Sequence, residues 1–147
     1  MALPIVGKVL LDTNVLIDFL RIGMHAEWVI GGHGTIVRFI SAIVLLELRL
    51  GADTIKRKKA IDRLHQAFHS GRVLGLPAPL LDQAGRIFQS MHGHASSMHD
   101  RLGPINDILI ALTARQIGAT VVTSNLLEFR RIASKVQGLK VVAPNVT

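Results

Sequence analysis

The chain has 147 residues, 49% of them hydrophobic, which suits a single domain with a substantial buried core. It contains no cysteine, so disulfide bonds are excluded as a source of stability and a reducing compartment is favoured. Seventeen lysine and arginine residues against ten acidic ones give a formal charge of +7, which favours nucleic acid as a partner, although an acidic protein would fit equally well.

No stretch of the sequence resembles a signal peptide or a membrane-spanning helix. The apolar stretch at the amino end is short and is followed at once by Asp12. No apolar run approaches the roughly 20 residues that cross a bilayer. We therefore expect a soluble cytoplasmic protein without a membrane partner.

Five short runs rich in leucine and β-branched residues predict buried strands. In chain order they cover residues 6–12, 35–41, 71–76, 119–124 and 139–143. Helical patterns lie between them, at 14–23, 41–51, from 54 onward, 80–91 and 106–119, and a further helix follows the fourth strand. This alternation predicts an α/β fold, with one domain over residues 1–147 and a parallel sheet flanked by helices.

The pattern at 106–119 predicts the clearest helix of the chain. Pro104 precedes it, Asn106 is its predicted amino-terminal cap, and Gly118 is expected to end it in a left-handed conformation. The stretch 92–103 ahead of this helix is rich in glycine, serine and histidine and therefore predicts an exposed loop.

Three histidines, His92, His94 and His99, fall in that predicted loop. Imidazole is a ligand for Zn, Cu or Ni, so a transition-metal site is one interpretation and contact with RNA is another. The glycine and serine residues around them favour a third interpretation, a solvated loop.

Two acidic residues stand in apolar surroundings. Asp12 follows the first strand, at the sheet edge where α/β proteins bind ligands, although aspartate is also a good helix cap. Glu47 shares a predicted helix face with Ile43 and Val44. A buried carboxylate needs a metal, a cation or hydrogen-bond donors, so Glu47 indicates either a functional site or a buried ion pair with a distant arginine.

Further polar residues have simple explanations when each is taken alone. Asp107 begins the predicted helix 106–119, where the helix dipole favours negative charge. Asn125 and Glu128 have the spacing of a capping box after the fourth strand, and Thr123 adds a hydroxyl at the end of that strand.

Their positions together favour a shared site. Asp12 and Asn125 follow strands and Asp107 begins a helix, so a doubly wound sheet can bring them to one edge. Several carboxylates in one pocket require a divalent cation or raised pKa values, and oxygen ligands suit Mg²⁺ or Mn²⁺ rather than zinc. Such a site hydrolyses phosphodiesters with a metal-activated water, and Arg130 and Arg131 would hold phosphates at its rim unless they are simply solvated.

The segments LLDTNVLIDFL, AIVLLELRLGA, NDILIALTARQIGATVVTSN and LLEF together resemble the PIN-domain nucleases, most closely the VapC-type ribonuclease toxins of toxin–antitoxin pairs. The resemblance runs in order from about Lys8 to Val142. It implies a five-stranded parallel sheet and an endoribonuclease that depends on Mg²⁺ or Mn²⁺. Where PIN domains often have a fourth aspartate this chain has Asn125, which leaves the number of metal ions open.

The resemblance also assigns the site residues. The catalytic and metal-binding residues it implies are Asp12, Glu47, Asp107 and Asn125. Glu128 is a further candidate metal ligand. Apart from the resemblance, the residues beside these acids in the chain give the candidate substrate contacts, which are Thr13, Thr123, Arg130 and Arg131.

The same resemblance implies a homodimer and a VapB-type antitoxin whose tail covers the acidic pocket, often with an arginine entering it. The charge of +7 agrees with an acidic antitoxin segment as well as with RNA. Trp28, the one tryptophan, is predicted to pack in the core, with a dimer contact as the alternative.

Other α/β folds fit the sequence less well. A dehalogenase-like phosphatase needs an acid where this chain has Asn14, the glycine-rich GK[ST] turn of a P-loop is missing, and a receiver domain expects a lysine where Thr123 stands. The stronger alternative is a PIN-like module that binds RNA or protein without catalysis. It would use the acids as caps and ion pairs and would show no metal dependence.

Overall fold

A five-stranded parallel sheet forms the centre of the molecule, with the strand order β3-β2-β1-β4-β5. The computed structural model describes residues 7–31, 35–93 and 98–145, with side chains described from residue 103 onward in the last range. The strands are β1 (Gly7–Leu11), β2 (Ile36–Ser41), β3 (Val73–Leu74), β4 (Thr120–Val122) and β5 (Lys140–Val142). Each of the five strands predicted from the sequence is confirmed.

Helices connect the strands and cover the sheet. They are α1 (Thr13–Ile22), α2 (Ala26–Val29), α3 (Ala42–Leu50), α4 (Ile55–Ala67), α5 (Ala78–His92), α6 (Met98–Ile117) and α7 (Leu126–Ala133), with a short 3-10 turn at Ser70–Arg72. The single α/β domain expected from the sequence is confirmed. No helix within the described residues is long and apolar enough to cross a membrane.

The short helix α2 has no counterpart among the predicted elements. It carries Trp28, which is fully buried and donates from Nε1 to the backbone oxygen of Pro144 at 2.6 Å. Four residues are too few to show helical periodicity, so α2 could not be predicted from the sequence pattern. Trp28 packs in the core of the single chain, as predicted.

The strand order places the ends of β1 and β4 at the middle of the sheet. Val9, Leu10 and Leu11 of β1 are completely buried because β1 pairs with β2 on one side and β4 on the other. The strand order changes direction between β1 and β4, and in sheets of this kind the carboxyl ends beside such a reversal border a crevice. Asp12 follows β1 directly at this crevice.

Helix α6 begins earlier than the sequence predicts. It starts at Met98, so Pro104, Asn106 and Asp107 lie inside the helix and none of them caps it. Proline has no backbone N–H to donate to the preceding turn. Because Pro104 lies near the start of α6, the missing hydrogen bond affects only the first turns of the helix. The end of the helix is as predicted, because Gly118 adopts φ 70°.

The prediction of a loop at 92–103 is wrong at both ends of that stretch, where the chain is helical. His92 is the last residue of α5, and α6 already includes the residues from Met98 onward. The ring of His92 packs against Phe88, with 4.8 Å between the ring centroids. His94 lies outside the described residues, and so does the side chain of His99.

Candidate active site

Asp12 is held tightly between the ends of two strands. It is 3% exposed, and its backbone N–H donates to Val122 O at 3.0 Å. Its Oδ1 accepts from the Thr13 N–H at 2.7 Å, while Oδ2 accepts from Thr123 Oγ1 at 2.7 Å and from Asn14 Nδ2 at 3.0 Å. Asp12 therefore caps α1 and also joins a network across the strand ends. Burial raises the pKa of Asp12, and these three donors oppose the rise.

Glu47 reaches the same region from α3. It is partly buried, and its Oε1 accepts a hydrogen bond from Thr13 Oγ1 at 2.9 Å. The Asn106 side chain on α6 also forms a hydrogen bond with Glu47. Burial raises the pKa of Glu47, the Thr13 bond lowers it, and the nearby charge of Asp12 raises it again.

Asp107 shows that the acids share one electrostatic environment. Its pKa is raised to about 7, first by burial and then by the negative charges of Asp12, Glu47 and Glu128. Repulsion between charges falls with distance, so acids that raise one another's pKa must lie near each other. The four acids come from the end of β1 and from α3, α6 and α7, and the fold brings them to one edge of the sheet.

Asn125 also turns toward this group. Although it directly precedes α7, its side chain forms no capping bond within the described part of the chain. Its Nδ2 instead lies 3.5 Å from Asp107 Oδ2, and its backbone N–H donates to Thr123 Oγ1 at 2.9 Å. The capping-box interpretation of the Asn125 side chain is therefore wrong.

Two threonines that the sequence suggests as substrate contacts are buried beneath the acids. Thr13 is 7% exposed and Thr123 is fully buried, and their hydroxyls donate to Glu47 and Asp12 respectively. In this structure both threonines hold carboxylates in place. Their contact with substrate stays a prediction.

Asn14 is a site residue that the sequence analysis missed. Its Nδ2 donates to Asp12 Oδ2 and, at 3.3 Å, to Thr123 Oγ1, and its Oδ1 accepts from the Ser124 N–H at 3.1 Å. Asn14 therefore connects the ends of β1 and β4. The one sequence signal for a role of Asn14 in the site is its place two residues after Asp12, because an uncharged amide does not stand out in a sequence as a carboxylate among apolar residues does.

No basic side chain within the described residues forms an ion pair with Asp12, Glu47 or Asp107. The ion pairs found there join other groups, and Arg49 of α3 pairs with Asp62 at 2.6 Å. The buried ion pair considered for Glu47 is therefore not present in this part of the chain. Carboxylates that are buried together without a cation leave their negative charge uncompensated.

The chemistry of this donor set fits a hard divalent ion. Asp12, Glu47, Asp107 and Asn125 offer oxygen ligands, which Mg²⁺ and Mn²⁺ prefer. Among the described residues, no three histidine or acidic side chains are packed closely enough to hold an ion as they stand. An ion held by fewer of these side chains would complete its coordination with water, as Mg²⁺ commonly does.

Of the two arginines of α7, Arg131 contacts an acid of this group. Arg130 and Arg131 are both exposed, and Arg131 Nη1 lies 3.4 Å from Glu128 Oε2. Exposed pairs of this kind are weak, so neither guanidinium is committed to a structural role.

The family model of the PIN domain matches residues 9–135. The chain belongs to the PIN-domain family. This match covers the elements that carry Asp12, Glu47, Asp107 and Asn125, and the resemblance stated from the sequence is confirmed. Comparison with curated protein sequences gives no match for this PIN domain.

Solved structures with similar folds include members of toxin–antitoxin systems. FitAcB from Neisseria gonorrhoeae is 27% identical with a TM-score of 0.64, covering 92% of this PIN domain and 97% of that chain. VapBC2 from Rickettsia felis, bound to a DNA fragment from its promoter, is 22% identical with a TM-score of 0.63, covering 92% and 98%. A toxin–antitoxin complex from Klebsiella pneumoniae is 19% identical with a TM-score of 0.66, covering 95% and 99%.

Proposed function

We propose that this PIN domain is an endoribonuclease that depends on Mg²⁺ or Mn²⁺ and hydrolyses phosphodiester bonds of RNA. The observation that carries the proposal is the group of buried Asp12 with partly buried Glu47 and Asp107, which repel one another and have no basic partner in the described residues. Caps and structural ion pairs would not need three uncompensated carboxylates in one place.

The residues around the acids support a site that is prepared to bind a cation. Thr13, Thr123 and Asn14 donate hydrogen bonds that stabilise the charged forms of Glu47 and Asp12. The pKa of Asp107 is raised to about 7, first by burial and then by the negative charges of the other acids. We assign Asp12, Glu47, Asp107 and Asn125 as the ligands, with Glu128 as an outer ligand.

A bound Mg²⁺ or Mn²⁺ would lower the pKa of a water molecule and offset negative charge on the phosphoryl oxygens. The protein's part is to fix the carboxylates and to keep basic side chains out of the pocket. Arg130 and Arg131, which follow Glu128 on α7, are exposed and are our candidates to hold the flanking phosphates of an RNA strand. The charge of +7 on the whole chain supports a polyanionic substrate.

We further infer that the protein is the toxin of a VapBC-type pair and acts as a homodimer. The similarity to VapBC2 and FitAcB along nearly their whole length supports an antitoxin partner. Large exposed apolar side chains support an association surface at the junction of α3 and α4, where Leu50 is 80% and Ile55 is 72% exposed.

An RNA cleavage assay with and without Mn²⁺ tests the proposal. The wild type is compared with Asp12→Asn and Glu47→Gln, which remove charge but keep side-chain size. We expect cleavage that requires Mn²⁺ and is lost in both variants. Asp82→Asn is the matched control, because Asp82 lies on the exposed face of α5 and pairs with Arg86.

Two results would refute the proposal. Cleavage that persists in EDTA would show that no metal is involved. Full activity of Asp12→Asn and Glu47→Gln would show that the acids serve only the fold. Circular dichroism and urea unfolding of each variant separate loss of activity from loss of structure.

A further inference from the structure

A large cavity lies away from the acidic edge. It has a volume of about 650 Å³ and is formed by α1, α2, α4 and the strand β2. Phe19 and Leu20 line it, and they lie about 10 Å along α1 from the acidic edge at which that helix begins. None of the residues assigned to the metal site borders this cavity.

The charged side chains that line the cavity are three arginines, Arg38, Arg63 and Arg72, and His69 lies beside them. The ion pairs of the described residues do not involve any of these arginines, so their charge is not neutralised within this part of the chain. Three guanidinium groups around one space repel one another unless an anion lies between them.

Arg38 provides the most specific observation. Its Nε is buried and has no hydrogen-bond partner among the described residues. Its Nη2 is 3.1 Å from the point that a Cβ on Gly31 would occupy, so the guanidinium lies directly against the Gly31 backbone. Buried donors are normally satisfied, so an acceptor supplied by a ligand would complete Arg38.

The neighbouring groups limit the kind of ligand. Arg72 is placed over the ring of Phe39, 5.3 Å from its centroid, which holds one guanidinium near the cavity. Phe19, Leu64 and Phe68 supply apolar and aromatic walls. The volume is within the range of cavities that hold small molecules.

We propose that this cavity binds a nucleoside phosphate, with the phosphate against the arginines and the base against the phenylalanines. Three guanidinium groups offer many N–H donors. A phosphate monoester accepts more hydrogen bonds than a single carboxylate does and also carries more negative charge. An aromatic base has a flat face that stacks on phenylalanine. The ligand is either a free mononucleotide or the 5′-phosphorylated end of an RNA strand.

Isothermal titration calorimetry of the full chain tests this site. The titrations use AMP, adenosine and inorganic phosphate in the presence of EDTA, so that no metal contributes at the acidic edge. We expect one AMP per chain, with adenosine binding at least about tenfold more weakly because it lacks the phosphate. Inorganic phosphate should bind more weakly than AMP because it leaves the apolar walls empty.

Variants locate the binding. Arg38→Gln and Arg63→Gln should each weaken AMP binding by about tenfold or more. Arg63 is exposed, so its variant keeps the test valid if Arg38→Gln does not fold. Arg86→Gln is the matched control and should bind AMP like the wild type, because Arg86 lies on α5 and is 79% exposed.

Comparison with a 5′-phosphorylated RNA dinucleotide separates the two sources of the ligand. Tighter binding of the dinucleotide than of AMP assigns the site to a strand end, and equal or weaker binding assigns it to a free nucleotide. The proposal is overturned if adenosine binds as well as AMP, or if neither arginine variant weakens binding. It is also overturned if a glutamate-rich peptide binds through Arg38 and Arg63 while AMP does not.

Discussion

Thr13 Oγ1 donates a hydrogen bond of 2.9 Å to Glu47 Oε1, while the Thr13 backbone N–H donates one of 2.7 Å to Asp12 Oδ1. One residue thus contacts two acids that come from different elements of the fold. Both bonds favour the charged carboxylates and oppose the rise in pKa that burial causes. Thr13 is therefore expected to matter for metal binding more than its small side chain suggests.

We predict that Thr13→Val weakens Mn²⁺ binding and lowers RNA cleavage by about tenfold, because Glu47 loses a donor worth about 1.5–3 kcal/mol to a charged group. The measurement is cleavage rate against Mn²⁺ concentration. Thr113→Val is the matched control, since Thr113 is also buried but donates to Leu109 O within α6. An unchanged Mn²⁺ dependence in Thr13→Val would contradict this role.

Asn14→Ala should reduce both stability and activity. The change removes hydrogen bonds to Asp12, Thr123 and Ser124, so we expect the free energy of unfolding to fall by about 1–3 kcal/mol. Urea unfolding measures this loss, and the cleavage assay should show a lower rate even under conditions where the variant is fully folded. A variant with wild-type stability would show that the strand ends do not depend on this amide.

The metal-free protein should lose stability as the pH rises toward neutrality. The pKa of Asp107 is raised from 3.8 in the unfolded chain to about 7 in the fold, so the folded state binds the proton more tightly. Its stabilising contribution is complete below the unfolded pKa and is lost as the pH rises through about 7. Burial shifts the pKa values of Asp12 and Glu47 in the same direction.

Urea unfolding in EDTA between about pH 5 and about pH 8.5 measures this dependence. Asp107→Asn should flatten the profile and should be more stable than the wild type at about pH 8, by about 1–3 kcal/mol. A wild-type profile that rises over the same interval would show that Asp107 is not in the repelling environment described above.

Mn²⁺ should reverse this loss at alkaline pH. An ion that binds the folded state alone stabilises it by an amount that grows with the logarithm of its concentration, about 2.7 kcal/mol at a hundredfold excess over Kd. We expect the melting temperature of the wild type to rise with Mn²⁺ at about pH 8 and that of Asp12→Asn to rise much less. Asp82→Asn, altered on the far side of α5, should respond like the wild type.

Trp28→Phe should destabilise the protein by about 1–3 kcal/mol. Phenylalanine cannot donate a hydrogen bond to the Pro144 carbonyl, and its smaller ring leaves unfilled space in the core. Equilibrium unfolding by urea provides the value. If the oligomeric state changed while monomer stability stayed constant, Trp28 would belong to a subunit contact instead.

The positions of the strands and of Asp12 could be predicted because the signals are local. Apolar runs such as Val9 to Leu11 indicate a buried strand, and an acid directly after such a run marks the carboxyl edge. The start of α6 could not be predicted in this way, since the stretch before Asn106 lacks an apolar period and Pro104 usually marks a boundary.

Most of the polar contacts of the site could not be predicted from the sequence. Asn125 and Glu128 have the spacing of a capping box, yet the amide faces Asp107 instead. Asn14 and Thr123 are bonded although they are 109 positions apart in the chain. Amides and hydroxyls at such separations acquire their partners only from the fold, so no pattern within a short segment reveals them.

The bridge from Asn14 to Thr123 has a consequence for protein synthesis. Asp12 and Asn14 are translated early, but Thr123, whose hydroxyl donates to Asp12, follows 111 positions after Asp12, and Asn125 follows later still. A chain still attached to the ribosome therefore lacks a finished pocket until that segment has emerged. The cutting activity that we propose is absent from the growing chain before then.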